Sequence, residues 1–213
     1  MEPAGLKKIQ HLIPKEVTIV AATKYVNSDD MKKLYHLGIH HFGENRVDAF
    51  LPKYEELNKL PITWHFIGHL QRNKAHLILD KIDYLHSLDS IELAKIIDKE
   101  RNTPLKCFIE VNINHEKSKH GVEVSSLNSF VNQILSLKQI EIVGLMGMSK
   151  VDSSSKEKLQ QFKALAYLKE RLNHDFNLNL KELSMGMSDD FEEAIAAGST
   201  MVRLGRVLWM QEN

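Results

Sequence analysis

Two features of this sequence could do chemistry together. Leu183–Trp209, LSMGMSDDFEEAIAAGSTMVRLGRVLW, reads as strand, Gly/Ser turn, helix with Asp189 and Asp190 in its first turn, second strand, glycine. Ser184, Gly186 and Ser188 lie along the first strand's end and turn, and Gly205 closes the second strand. Two such strand ends side by side predict an anion cradle, where backbone N–H groups, a hydroxyl and a guanidinium converge on one phosphate. Far upstream, Lys24 follows the apolar run Val17–Ala22. A lysine at the mouth of a first strand and a phosphate cradle after the last two are expected to face each other across a closed barrel. Together they point to a phosphorylated aldehyde held as a Schiff base.

Each of these residues also has a plainer reading. Apolar neighbours would desolvate an amine at a strand end and favour its neutral form, but most lysines are simply solvated. Arg203 lies inside the apolar run Met201–Leu204. It either faces a ring nitrogen or a phosphate, or forms a structural salt bridge within a barrel. Ser184, Gly186 and Gly205 are phosphate ligands or ordinary turn residues. Asn45, in Phe42-Gly43-Glu44-Asn45, contacts a ligand or caps the following helix. His65 and His69 are four apart, but Gly68 interrupts any helix between them. With no HExxH or CxxC pattern, both are read as non-metal, and the expected metal-ligand set is none. His115, Lys117, Lys119 and His120 read as a solvated polar loop, and Met146, Met148, Met185 and Met187 as core packing. No G-x-S-x-G elbow, GxGxxG turn or GxxxxGK[ST] loop is present, so hydrolase, dinucleotide and nucleoside-triphosphatase readings have no support.

Positioning these residues requires short buried strands alternating with amphipathic helices. Strands are expected at Val17–Ala22, Ile39–Phe42, Trp64–Ile67, Tyr84–Leu85, Lys106–Ile113, Ile140–Met146, Leu183–Met185 and Met201–Leu204. Helices are expected between them, capped at Ser28, Ser90 and Ser153–Ser155, with others from Gln71 to Leu79 and from Ser125 to Leu137. This rhythm predicts a (β/α)8 TIM barrel, a single domain over residues 1–213, although about 250 residues is typical of that fold. Lys+Arg and Asp+Glu are 28 each, which gives no basic excess for nucleic acid. No apolar stretch approaches the roughly 20 residues of a membrane span, and the N-terminus lacks a signal-peptide core. The expected location is cytoplasmic. The single cysteine, Cys107, reads as a small buried hydrophobe.

Several of these segments together resemble a known family. They are Ala21-Ala22-Thr23-Lys24, Phe42-Gly43-Glu44-Asn45, Trp64–Lys74 (WHFIGHLQRNK), Ser118-Lys119-His120-Gly121, Gly144-Leu145-Met146 and LSMGMSDDFEEAIAAGSTMVRLG. From Val17 to Met210 the chain resembles the pyridoxal phosphate homeostasis proteins, which are similar to the N-terminal barrel of bacterial alanine racemase. The resemblance implies a fold-type III barrel binding pyridoxal 5′-phosphate (PLP), with Lys24 as the Schiff-base lysine. It further implies Ser184 and Gly205 at the phosphate, Arg203 near the pyridine nitrogen and Asn45 on the cofactor. One position departs from the family pattern. The residue after the Arg-x-Gly glycine, often a small hydroxyl residue, is Arg206 here. Arg206 can serve the phosphate through its backbone N–H, add its charge, or lie on the surface.

The family is regarded as cofactor carriers without an established reaction. The expected role is therefore PLP homeostasis, with PLP and PLP-dependent apo-enzymes as partners, neither nucleic acid nor membrane, and a monomeric state. The alternative is a PLP-dependent amino-acid racemase. Racemisation needs acid–base groups on both faces of the substrate α-carbon. Alanine racemases take the second from a C-terminal domain, which a chain ending at Asn213 is expected to lack. Tyr25 is a poor substitute because successive strand residues point oppositely. A Schiff-base aldolase acting on a sugar phosphate is a third reading, separable by the visible absorbance of bound PLP.

Overall fold

The computed structural model describes residues 2–114 and 120–209. The predicted loop residues His115, Lys117, Ser118 and Lys119, and Met210 at the end of the family resemblance, lie outside that range. Among the described residues nine strands form the sheet: β1 (Thr18–Ala22), β2 (His41–Glu44), β3 (Thr63–Phe66), β4 (Tyr84–Leu88), β5 (Leu105–Asn112), β6 (Val122–Glu123), β7 (Ile140–Met146), β8 (Glu182–Ser184) and β9 (Met201–Leu204). All pairings are parallel. The order β4-β3-β2-β1-β9-β8-β7-β5, with β4 also pairing β5, closes eight strands into a ring, while β6 attaches only to the end of β5. The eight expected strands are thus the eight of the barrel, and the short β6 is an addition the apolar pattern did not signal.

The helices are α1 (Ala4–Ile9), α2 (Ser28–His36), α3 (Val47–Leu57), α4 (Ile91–Glu100), α5 (Leu127–Ile134), α6 (Ser155–Phe176) and α7 (Phe191–Ala196). Local chemistry explains their starts. Ser90 caps α4 by accepting from Leu93 N–H, and Ser154 forms a reciprocal capping box with Glu157 at α6. At α2 the cap is Asn27 rather than Ser28, its side chain accepting from Asp30 N–H. The helix expected from Gln71 to Leu79 forms only as 3₁₀ turns over Arg72–Leu77. A 3₁₀ coil rises more per residue than an α-helix, which lets this short segment return from the end of β3 to the start of β4.

Most of the core lies between barrel and helices, where the outward side chains of the strands meet residues such as Phe50, Leu93, Phe130 and Phe162. A smaller apolar cluster, Val20, Phe108, Met146 and Met201, fills part of the interior. Burial pushes the Cys107 thiol well above its usual value, as expected of an inert core residue. No helix among the described residues is long and apolar enough to cross a membrane.

Gly144 sits where β5 and β7 slip register and β7 meets β8. A Cβ there would lie 1.9 Å from the Glu182 carbonyl oxygen, so Gly144→Ala forces two strands apart. Gly198, at φ 94° with nothing within 4 Å of its Cβ direction, carries only backbone strain. We expect Gly144→Ala to cost about 3 kcal/mol or more, a Tm loss of roughly 6–12 °C for a chain this size. Gly198→Ala should cost roughly 1–2 kcal/mol. Thermal melts showing equal losses would contradict this account of the β7–β8 contact.

Candidate functional site

Function in a parallel barrel collects at the C-terminal ends of the strands. Lys24 lies two residues beyond β1. The residue before it is held tightly. Thr23 is fully buried, its N–H donates to Gly43 O at 3.0 Å, and its hydroxyl donates to Glu44 Oε1 at 2.6 Å. Lys53 on α3 donates to Thr23 O at 2.7 Å and pairs with the fully buried Glu44 carboxylate. Two strands and a helix therefore fix the backbone that presents Lys24. Its side chain is exposed, with Nζ 4.8 Å from the centroid of the Tyr25 ring.

The structure bears on three expectations about Lys24. Its side chain is solvated, the plainer of its two readings, because the apolar strand ends at Ala22. Tyr25 does not point away from it, since strand alternation no longer applies beyond the strand. Nor does Lys24 face the last strand across the barrel. Ring closure makes β1 and β9 hydrogen-bonded neighbours, with Ala21 opposite Leu204. A Cβ placed on Gly205 would lie 3.5 Å from Ala22 O, so the Gly205 turn sits beside the strand end that leads to Lys24.

At that turn the N–H groups of Gly205 and Val207 both donate to Ser188 Oγ, each at 3.4 Å. These are two backbone donors and one hydroxyl around Arg206, the constellation expected of an anion site. The hydroxyl at this turn is that of Ser188. Ser184 is the last residue of β8 and fully buried. Its Oγ accepts from Arg203 Nη1 at 2.6 Å and lies 2.7 Å from His86 Nδ1, so it is committed inside the barrel. Strand parity turns its side chain towards the interior. Arg206 points its guanidinium outward to Asp189 at 2.5 Å, both side chains being largely exposed, which leaves only its backbone near the turn.

Arg203 is buried. Besides Ser184 Oγ, it donates to Ser184 O at 2.7 Å and, through Nη2, to Gly147 O at 3.3 Å. Of the two readings of Arg203, the salt bridge is not formed among the described residues, where neutral oxygens are its close partners. Burial pulls the guanidinium down to about 10, while Glu110 and Asp190 pull it back up. Glu110, also buried, is raised to about 7, mainly by desolvation and by Asp89, against Arg203. Asn45, just past β2, has its side-chain oxygen buried without a hydrogen-bond partner among the described residues. It lines a cleft of about 320 Å³ together with Phe66, His69 and Lys74.

Behind Arg203 runs a chain that sequence reasoning missed. His86 Nε2 lies 2.8 Å from His65 Nδ1, and His65 Nε2 lies 3.0 Å from the half-buried His41 Nδ1. Each N···N contact needs one donor and one acceptor. Because Arg203 can only donate, Ser184 O–H is free to donate to His86, which then donates to His65, which donates to His41. Reversing every step would leave the Ser184 proton without an acceptor in this chain. All three rings are neutral in this arrangement. The signal that could have found the chain is parity: three histidines at inward positions of three successive strands, visible only once register is known.

The chain matches the alanine racemase N-terminal domain family over residues 5–213. It is 38% identical over 194 residues to the pyridoxal phosphate homeostasis protein of Aquifex aeolicus, covering 90% of this chain and 85% of the relative. To the protein of the same name in Escherichia coli K12 it is 34% identical over 209 residues, covering 92% and 86%. Among solved structures, PipY of Synechococcus elongatus with PLP bound superposes with TM-score 0.90 at 31% identity, covering 98% of this chain and 99% of that one. Alanine racemase from Corynebacterium glutamicum shares the fold, with TM-score 0.78 at 14% identity over 62% of its length.

Burial holds His65 and His86 well below the ordinary imidazole value, with His65 repelling His86 and Arg203 adding to it. The unfolded chain therefore binds protons near pH 6.5 that the native chain refuses. Each ring's stabilisation is complete above that pH and is lost as pH falls towards its native value, at up to about 1.4 kcal/mol per pH unit. Glu110 has the opposite sign, its contribution weakening as pH rises from about 4.5 towards about 7. Nitrogen NMR of the histidine rings should show His65 and His86 neutral and untitrated at pH 6. A midpoint near 6.5 for either ring would refute the neutral chain.

Proposed function

The chain belongs to the alanine racemase N-terminal domain family and to the pyridoxal phosphate homeostasis proteins, and from that premise we propose that it holds PLP covalently through Lys24 and acts as a carrier of the cofactor. The observation that carries this reading is the Ser188 turn, where two backbone N–H groups converge on one hydroxyl beside the strand end leading to Lys24.

The residues present suit the group. A phosphate needs several donors without a costly buried charge, and the Gly205 and Val207 N–H groups with the Ser188 hydroxyl provide them. The unpartnered Asn45 oxygen is a polar atom awaiting a ligand donor, because a buried acceptor left alone costs free energy. When bound, the cofactor supplies an aldehyde open to amine attack and an electron-poor ring.

This chain's own residues then divide the work. Glu44 and Lys53 hold Thr23, and so the backbone of Lys24, in place. The Ser188 turn grips the anionic end. Arg203, oriented by Ser184 and Gly147, offers N–H groups it does not surrender and keeps a facing ring nitrogen unprotonated. That weakens the ring as an electron sink, which supports holding the cofactor over turning over amino acids. In this reading the chain is one cofactor-binding domain that acts as a monomer and passes PLP to apo-enzymes.

Purified protein mixed with PLP should develop near-violet absorbance that borohydride removes while fixing the label. Lys24→Ala should lose the fixed label and stay folded. Ser188→Ala should weaken PLP binding roughly 10- to 100-fold, the loss of one hydrogen bond to a charged group. Ser184→Ala should alter the spectrum through Arg203 more than it alters affinity. Borohydride-fixed label persisting in Lys24→Ala would move the attachment elsewhere, and amino-acid racemisation at about 1 s⁻¹ or faster would replace the carrier with an enzyme.

A further inference from the structure

Three side chains from three different strand-end segments meet on the rim away from the Ser188 turn. His69 follows β3, Asp89 follows β4 directly, and His120 precedes β6. His69 Nδ1 lies 3.2 Å and His120 Nδ1 3.9 Å from the same oxygen, Asp89 Oδ2. One donor atom from each residue falls within 4.8 Å of the others. The imidazoles stack with centroids 3.8 Å apart at 11°. We propose that His69, Asp89 and His120 form a binding site for a divalent transition-metal ion of the zinc type, with at least one coordination position open to solvent.

The spacing fits the chemistry. Bonds of about 2.0–2.2 Å in a tetrahedral centre set the donor atoms roughly 3.3–3.5 Å apart. The two distances to Asp89 bracket that value, and because a ring nitrogen binds a metal in the plane of its ring, the two stacked imidazoles must swing apart to share the ion. The ligand types exclude the hard cations, since calcium and magnesium take oxygen donors while imidazole suits zinc, cobalt and iron. His69 Nδ1 and Asp89 Oδ2 are already at hydrogen-bond distance, 3.2 Å, so an ion would replace that contact and engage both neutral imidazoles and the carboxylate together.

The surroundings hold the ligands in place. Asp89 is 9% exposed at its side chain, and Ser90 beside it caps α4. Ser87 Oγ donates to Gly68 O at 2.6 Å, which fixes the turn presenting His69. A Cβ on Gly68 would lie 2.3 Å from Asn45 O, so only glycine allows that turn to press against the β2 end. Such outer contacts orient metal ligands. A cleft of about 420 Å³, lined also by Arg72 and Glu92, gives the ion access and room for water. A bound ion would tie the ends of β3 and β4 to the segment entering β6. No consecutive motif encodes the site, because the ligands are 20 and 31 positions apart.

The site is independent of the PLP reading and is tested without PLP. Full-length protein stripped with chelator is titrated with Co²⁺, whose visible absorption reports a tetrahedral or five-coordinate environment, and then with Zn²⁺ in competition. One equivalent should bind, and Zn²⁺ should displace it. Asp89→Asn and His120→Ala should each weaken binding at least about 10-fold, and His69→Ala/His120→Ala should abolish the Co²⁺ spectrum. Zn²⁺ should raise Tm in the wild type and not in the double variant. A wild type without Co²⁺ absorption, or a spectrum that survives the double variant, would overturn the assignment. Near-violet absorbance with PLP should be unchanged in His120→Ala, a residue outside the Asn45 cleft, so failure here leaves the Lys24 reading standing and the reverse also holds.

Discussion

A guanidinium buried inside a barrel is the constraint around which the rest of this structure is arranged. An unpaired charge in such a place is prohibitively costly. Arg203 meets it with oxygens of Ser184 and Gly147, and with Glu110 and Asp190 acting through space. Satisfying Arg203 uses the Ser184 hydroxyl, which in turn orients His86, His65 and His41. One charge thereby polarises a line of neutral groups that crosses from the last strands to β2. Chains of this kind are cooperative, and each member needs all the others to be satisfied.

The same constraint divides the barrel into functional layers. Its interior is committed to Arg203 and the apolar cluster of Val20, Phe108, Met146 and Met201. In the proposed carrier the ligand contacts come from the rim, where residues have left strand geometry, and from Arg203 beneath it. Ser188, Gly205, Val207, Lys24 and Asn45 all stand just beyond a strand end. Asp190 braces this rim, accepting from Ser149 Oγ at 2.5 Å and from Met187 N–H at 2.6 Å, and so joins the loops after β7 and β8. A rigid interior under a rim built from separate loops is how barrels of this class vary their chemistry.

Alanine racemase from Corynebacterium glutamicum shares this fold at 14% identity, and fold alone does not dictate reaction. In the proposed carrier, covalent capture and phosphate grip suffice, and both rest on elements next to the β1–β9 seam. His69, Asp89 and His120 occupy a different arc, over β3 to β6, and share with that seam only the closed ring that supports both.

How much was legible beforehand follows from how local each feature is. Apolar runs separated by capped amphipathic stretches are encoded within windows of a few residues, so all eight barrel strands and most helices could be read directly. Lys24, Asn45 and Gly205 were legible as strand-end residues for the same reason. The 3₁₀ path after β3 was not, because tertiary reach rather than propensity sets it. Nor was the direction of Ser184, since a one-residue shift of register exchanges inside for outside. The nearness of Lys24 to Gly205 follows from ring closure, a contact between residues some 180 positions apart. The histidine line and the His69–Asp89–His120 cluster are decided by the same cause. Spacing along a chain specifies which side chains reach the end of a strand, but only the folded barrel specifies which strand ends are neighbours.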